Sequence, residues 1–146
     1  MIVVVVVVAL ILVAVVALGL FAAHVVQSSL PETVTVVSAG TVWNLNAGYY
    51  EYEGPVDLTA RSSWTVSGTF TASAGIAAYV MTSSEYSAWG GSGEPSTYQW
   101  TSGTGVTAGS VSTVIPQGTY YFVWLNTNPT ASSSVDITSS VLATSI

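Results

Sequence analysis

Glu51 and Glu53 are the first candidates for chemistry, two acids spaced two apart in a tyrosine-rich run. On a strand, side chains at i and i+2 share a face. With Asp57 close behind, the residue types suit a Ca2+ site or the acid/base pair of a glycosidase. The same carboxylates also read as a solvated acidic edge that discourages pairing with other chains, and this is the expected use. Arg61 is the single Lys/Arg, against seven Asp/Glu. Its expected role is an ion pair with Glu51, Glu53 or Asp57. His24, the single His, stands inside an apolar run and reads as a helix-end residue, favourable to the C-terminal dipole when protonated. Tyr86, Trp89, Tyr98 and Trp100 have the chemistry of a sugar-stacking platform, with core and subunit contacts as the competing use. Nothing here assembles a catalytic site. The expectation is a protein that is not an enzyme, with no catalytic residue, no cofactor and no metal.

Composition narrows the classes further. Charged residues make up 5% of the 146-residue chain and the formal net charge is −6, against roughly 25% charged in an average domain. One cation cannot displace counterions along a phosphate backbone, so nucleic-acid binding is excluded. The absence of Cys removes disulfide scaffolds, thiolate metal sites and c-type haem. Hydrophobic residues at 50% oppose disorder. Hydroxyl takes the place of charge. There are 21 Ser and 18 Thr, and all but Ser28 and Ser29 lie beyond residue 30. Such a surface titrates little and is open to O-linked sugar. Asn126-Thr127-Asn128 and Asn128-Pro129-Thr130 both miss the N-linked rule.

Two unlike segments must position these residues. Residues 2–23 contain no polar side chain, and a helix over 2–28 would span about 40 Å, more than the ~30 Å hydrocarbon core. The sequence therefore predicts a hydrophobic helix over 1–28, a linker over 29–33 and a β-sandwich over 34–146, an α+β fold class overall. Ser29 and Pro31 are the expected hinge. No basic leader precedes the apolar run, and no basic flank gives it a membrane orientation. It reads as a chain whose leader has been removed.

From Thr33 onward the pattern is all-β. Strands are predicted at 33–37, 41–45, 49–52, 56–60, 64–72, 75–82, 97–100, 110–115, 119–126 and 134–142. In the run 64–70, Trp64, Val66 and Phe70 point one way and the hydroxyls the other. Residues 82–89 hold one turn of helix, and 85–96 is the longest turn-rich stretch, expected as an exposed loop. Pro116-Gln117-Gly118 reads as a tight turn. Tyr49, Tyr50, Tyr52 and the run 120–124 read as strands packed on both faces, as in a domain covered by neighbours in a lattice.

An apolar N-terminal helix almost without charge, a short linker and a Ser/Thr-rich β-sandwich together resemble mature archaeal type IV pilins. The sandwich is also similar to an extracellular β-module of archaeal and bacterial surface proteins, through Val66-Ser67-Gly68-Thr69-Phe70, the run 78–86 and the run 115–123. Val5 stands where bacterial pilins carry Glu, as the archaeal type implies. The resemblance implies a subunit of an extracellular filament used for attachment. It would be a homopolymer of many identical copies, held in the membrane before assembly, with surfaces or other cells as partners. Val5, Val8, Leu12, Ala14, Val16, Gly19 and Phe21 would form the assembly core. Ala9, Ala17, Ala22 and Ala23 add small side chains that let helices approach. Met1 as initiator and Met1 as first mature residue both remain open. Two other readings stand beside this one. The first is a membrane-anchored cell-surface sandwich with an adhesive or carbohydrate-binding role. The second is a tethered carbohydrate-active enzyme.

Overall fold

The computed structural model describes residues 30–146, and Glu32–Ile146 form one compact unit. Alternation of apolar and hydroxyl side chains builds it. In the run 64–70, Trp64, Val66, Gly68 and Phe70 are buried while Thr65 and Ser67 are exposed. A period of two lets a strand bury one face and wet the other.

The order is β1 (Thr33–Val37), β2 (Val42–Leu45), β3 (Tyr50–Thr82), α1 (Ser83–Trp89), β4 (Trp100–Thr101), β5 (Val106–Asn126) and β6 (Ser133–Ser145). All strand pairs are antiparallel. The two long strands bend and serve both layers. In the first layer, residues 118–126 of β5 lie between the opening segment of β3 (Tyr50 opposite Leu125) and its closing segment (Ala77 opposite Leu125). β4 extends that layer beside Tyr79 and Val80. In the second layer, the middle segment of β3 lies between the first half of β5 (Trp64 opposite Ile115) and β6 (Val66 opposite Ala143). β1 and β2 both pair with β6.

The core fills the space between the layers. Trp64, Val66, Phe70, Val111, Ile115, Val135, Ile137 and Val141 come from one layer, and Leu58, Val80, Tyr120, Phe122 and Trp124 from the other. The corners are pinned by side chains. Trp64 Nε1 donates to the Leu58 carbonyl at 2.8 Å, and the Tyr120 hydroxyl donates to the Pro116 carbonyl at 2.9 Å. Buried Asn126 donates its amide to the carbonyls of Leu45, Asn46 and Ala131 at 2.8–3.1 Å, tying the β2–β3 and β5–β6 connections together. The indole N–H of Trp124 is buried without a partner, its ring 5.0 Å from Trp43.

Two expectations are corrected. Among the described residues the α+β fold class gives way to an all-β sandwich with one short helix, because β-branched and aromatic residues in alternation dominate the chain from Thr33 to Ser145 and α1 alone among its elements is helical. Among the described residues no helix is long and apolar enough to cross a membrane. The helix expected over 1–28, with Val5, Val8, Leu12, Ala14, Val16, Gly19, Phe21 and His24, lies outside the described residues, as does Ser29. Pro31 is described; it is exposed and irregular, two residues before β1. The second correction concerns Pro116-Gln117-Gly118, expected as a turn between strands. Strand β5 runs through it, with Pro116 opposite Ser63 and Gly118 opposite Leu58. The predicted strands at 49–52, 56–60, 64–72 and 75–82 are likewise segments of the single β3.

Candidate functional site

The outer face of the first layer carries a second, smaller core. Ala77, Tyr79 and Met81 from β3 and Val123 and Leu125 from β5 are buried there, covered by Tyr50, Tyr86, Trp89 and Tyr121. The helix that supplies Tyr86 and Trp89 is short and depends on its ends. Thr82 and Glu85 form a capping box: Thr82 Oγ1 accepts from the Glu85 N–H at 3.3 Å, and the Glu85 carboxylate accepts from the Thr82 N–H at 2.7 Å. Gly90, at φ 65°, closes the helix by donating its N–H to the Tyr86 carbonyl at 3.2 Å. Gly91 follows at φ 76°, and a side chain there would collide with the Tyr50 hydroxyl. The loop thus closes over Tyr50 only with glycine at this place.

These elements gather five rings. Tyr86 and Tyr121 stack with centroids 4.0 Å apart. Tyr52 lies 5.3 Å from Tyr86 and 5.9 Å from Tyr121, and is 44% exposed. Tyr50 bridges Tyr52 at 6.2 Å and Trp89 at 4.7 Å. The Tyr86 hydroxyl is held well above the ordinary tyrosine range, first by burial and then by hydrogen bonding to Tyr50. Separately, Tyr79 meets Tyr98 at 5.4 Å, and burial followed by the charge of Glu94 pushes Tyr79 up to about 12.

The four residues expected to stack sugar are therefore divided. Tyr86 and Trp89 belong to the five-ring surface, Tyr98 sits on Tyr79, and Trp100 packs against the inner core. Trp89 is half-buried, its N–H donating to the Gly93 carbonyl at 3.0 Å, so the stretch expected as an exposed loop begins as helix and folds back on itself. Sequence reasoning missed Tyr50, Tyr52 and Tyr121 as members of this surface. The signal was present, since Tyr50 and Tyr52 alternate onto one face of a strand. Tyr50 and Tyr121, read from the sequence as packed on both faces, are partly covered on the outer side by α1 of the same chain.

The carboxylates do not converge. Glu51 and Glu53 lie opposite Trp124 and Phe122, on the inward side of an edge segment, while Tyr50 and Tyr52 point outward. Charge on an edge strand obstructs pairing with another sheet. Asp57 is occupied by Thr59, accepting from its hydroxyl at 2.7 Å and its N–H at 3.0 Å. These bonds hold its carboxyl below the usual range. Among the described residues no three His, Cys, Asp or Glu side chains are grouped to hold a metal. The ion pair expected between Arg61 and Glu51, Glu53 or Asp57 is corrected: Arg61 Nε lies 3.8 Å from Glu32. Two hollows flank α1. A shallow groove of about 570 Å3 includes Thr82, Gln99, Pro116 and Gln117, and one of about 230 Å3 includes Trp89, Ser92 and Glu94. The first also takes in Tyr120, and the second mixes Ser and Thr hydroxyls with the Glu94 carboxylate.

No protein-family model matches the chain, and no curated protein matches it. Its fold is similar to several solved structures. One is of Bacillus endospore appendages, described as disulfide-linked pili (11% identity over 79% of this chain and 83% of that one, TM-score 0.41). A second is the infectious bursal virus T=1 particle (13% identity, 80% of this chain and 32% of that one, TM-score 0.46). A third is a carbohydrate-binding module of Cellvibrio mixtus lichenase 5A in complex with cellotriose (7% identity, 79% and 96%, TM-score 0.36). Pilus and carbohydrate-binding proteins are thus among the folds it is similar to. At these scores the likenesses carry no argument about this chain's role, which has to rest on its own residues.

Proposed function

We propose that the chain is a structural subunit of an extracellular, type IV pilus-like filament used for attachment. Copies are held in the cell membrane before assembly. They then form a homopolymer, with the apolar N-terminal segments gathered inside and the sandwiches outside. The observation that carries this reading is the join between two incompatible surfaces. Residues 2–23 offer no polar side chain, whereas the sandwich has its own closed core. A segment apolar on every side needs lipid or copies of itself as cover. Burial contributes ~25 cal/mol per Å2 of apolar surface, so a segment of that length exchanges readily for nothing but another apolar environment. The hydroxyl-rich, nearly uncharged exterior suits a module that stands outside the cell and tolerates changes of salt and pH.

A structural role is favoured over a catalytic one by the placement of the acids. Glu51 and Glu53 flank an edge, Asp57 is engaged by Thr59, and Glu85 is engaged by the helix cap and by Gln99 Nε2 at 2.9 Å. No pair is left facing a shared cleft.

Electron microscopy of material sheared from the native cell surface tests the reading. Thin filaments of this chain are expected. Replacement of Gly19 or Ala14 by a charged residue should abolish them while leaving the sandwich folded. Material that stays as detergent-soluble monomers, or filaments that survive those replacements, would sink the proposal.

A further inference from the structure

We infer that the five-ring surface on the outer face of the first layer binds a neutral glycan, with Tyr52 as the ring on which a pyranose stacks. The surface is continuous: Tyr52 contacts Tyr86 and Tyr121, and Tyr50 links it to Trp89. Tyr52 keeps 44% of its surface open, whereas the other four rings are half-buried. It is therefore the ring a ligand meets, and the others are its support. That support is pre-set. Tyr86 and Tyr121 are locked face to face, α1 is capped at both ends, and the Gly91 backbone closes on Tyr50. Little ordering remains to be done on binding, which favours affinity.

The chemistry of the surface selects the ligand class. An apolar protein partner would strip water from these hydroxyls and offer them no bond beyond those Tyr86 shares with Tyr50 and Tyr52, at a desolvation penalty. A pyranose matches them, because its axial C–H face covers the ring and its equatorial hydroxyls reach the phenol groups. Charge decides between neutral and acidic sugars. Arg61, the chain's single Lys/Arg, is engaged with Glu32. Among the described residues no other Lys, Arg or His side chain is present for a carboxylate, sulfate or phosphate on the ligand. Glu51 and Glu53 point to the opposite side of their strand. The inference is independent of the filament proposal, since it concerns a face complete within one chain.

The test uses the full chain as isolated from cells. Its tyrosine and tryptophan fluorescence is titrated with hexaoses of β-1,4-linked glucose, mannose and N-acetylglucosamine, and with hexagalacturonate. Saturable binding of at least one neutral hexaose is expected, insensitive to 0.5 M salt, with hexagalacturonate weaker. Tyr52→Ala should weaken binding about tenfold, and Tyr52→Phe should retain most of it. Val114→Ala, at an exposed residue of β5 in the second layer, should change nothing. Circular dichroism of each variant separates lost binding from lost fold, and Tyr52→Phe reads the same site with the least disturbance. Absence of binding to all three neutral hexaoses overturns the inference. So does tighter binding to hexagalacturonate, or neutral binding that survives Tyr52→Ala. If Tyr52→Ala changes sedimentation while leaving glycan binding intact, the face is a contact between copies and the inference fails.

Discussion

The rings of Tyr86 and Tyr121 lie parallel, 3° between planes and 4.0 Å between centroids, one from α1 and the other from β5. This stack joins the short helix to the sheet. Seven residues are too few for a helix to persist alone, so α1 exists because its side chains dock. Tyr86→Ala should destabilise the domain by about 2 kcal/mol, combining lost burial with the lost ring pair. Denaturant unfolding of Tyr86→Ala, Tyr121→Ala and the double variant would give a coupling of ~0.5–1.5 kcal/mol. A coupling near zero would mean the stack contributes only area.

The cap should be separable from the stack. Thr82→Ala removes the oxygen that accepts from Glu85 N–H, and is expected to lower stability by about 1 kcal/mol. Thr82→Ser should retain most of it. Thermal melts of the two variants compare them directly; equal losses would show that the methyl group, and not the cap, matters.

Gly109 lies under Phe70 across the β3/β5 ladder, and a Cβ there would overlap the buried ring. Neither the ring nor the edge strand can move without opening the core. Gly109→Ala should cost about 1–3 kcal/mol despite the better strand propensity of alanine. Unfolding with urea measures this, and a neutral or stabilising result would show that Phe70 has room to turn aside.

The groups with displaced titrations act at the two ends of the pH range. A carboxyl whose pKa is lowered in the folded state contributes stability that is complete above its unfolded value and lost as pH falls through the folded value. Asp57 is such a group, so its contribution should fade below about pH 4. A tyrosine whose pKa is raised works in the opposite sense. Tyr79 moves from 10.0 to about 12, so its contribution is complete below pH 10 and lost between pH 10 and 12. Burial, followed by the charge of Glu85, moves Tyr120 in the same direction. Unfolding midpoints should decline across that alkaline window, and Tyr79→Phe should make the decline shallower. An unchanged slope in that variant would remove Tyr79 from the account.

The ion pair between Arg61 and Glu32 should matter little. Arg61 and Glu32 are partly exposed and 3.8 Å apart, which places their pair at ~0–1 kcal/mol. Arg61→Gln is expected to shift the unfolding midpoint by no more than that, and 1 M NaCl should change the parent protein about as little. A larger loss would point to packing of the arginine stem.

The strands were legible because faces alternate. The spacing of Trp64, Val66 and Phe70 announces an inward face, and the whole of β1 coincides with the predicted 33–37. Thr82-Ser83-Ser84-Glu85 likewise announces a helix start. Partners were not legible, because periodicity gives direction and not neighbour. Arg61 meets Glu32 only because Ser145 stands between their strands: its N–H donates to the Glu32 carbonyl, and the next residue donates to Ser63. Three distant segments must be in register before that pair exists. The aromatic surface was half legible for the same reason. Tyr86 and Trp89 are close in sequence, but Tyr52 and Tyr121 join them through the β3/β5 register.

The place of β6 bears on how the domain comes into being. Among the described residues β1 and β2 find their sheet partners in β6, with Thr33 opposite Thr144 and Trp43 opposite Val135. A chain emerging from the ribosome or a translocation channel presents β1 and β2 first and β6 last. The first two strands must therefore wait, unpaired, while the whole chain from Asn46 to Ser132 is made. Closing so long a loop is slow. The strand that completes the second layer is thus the last of the six to be made, and the sandwich cannot close while β6 is still to come.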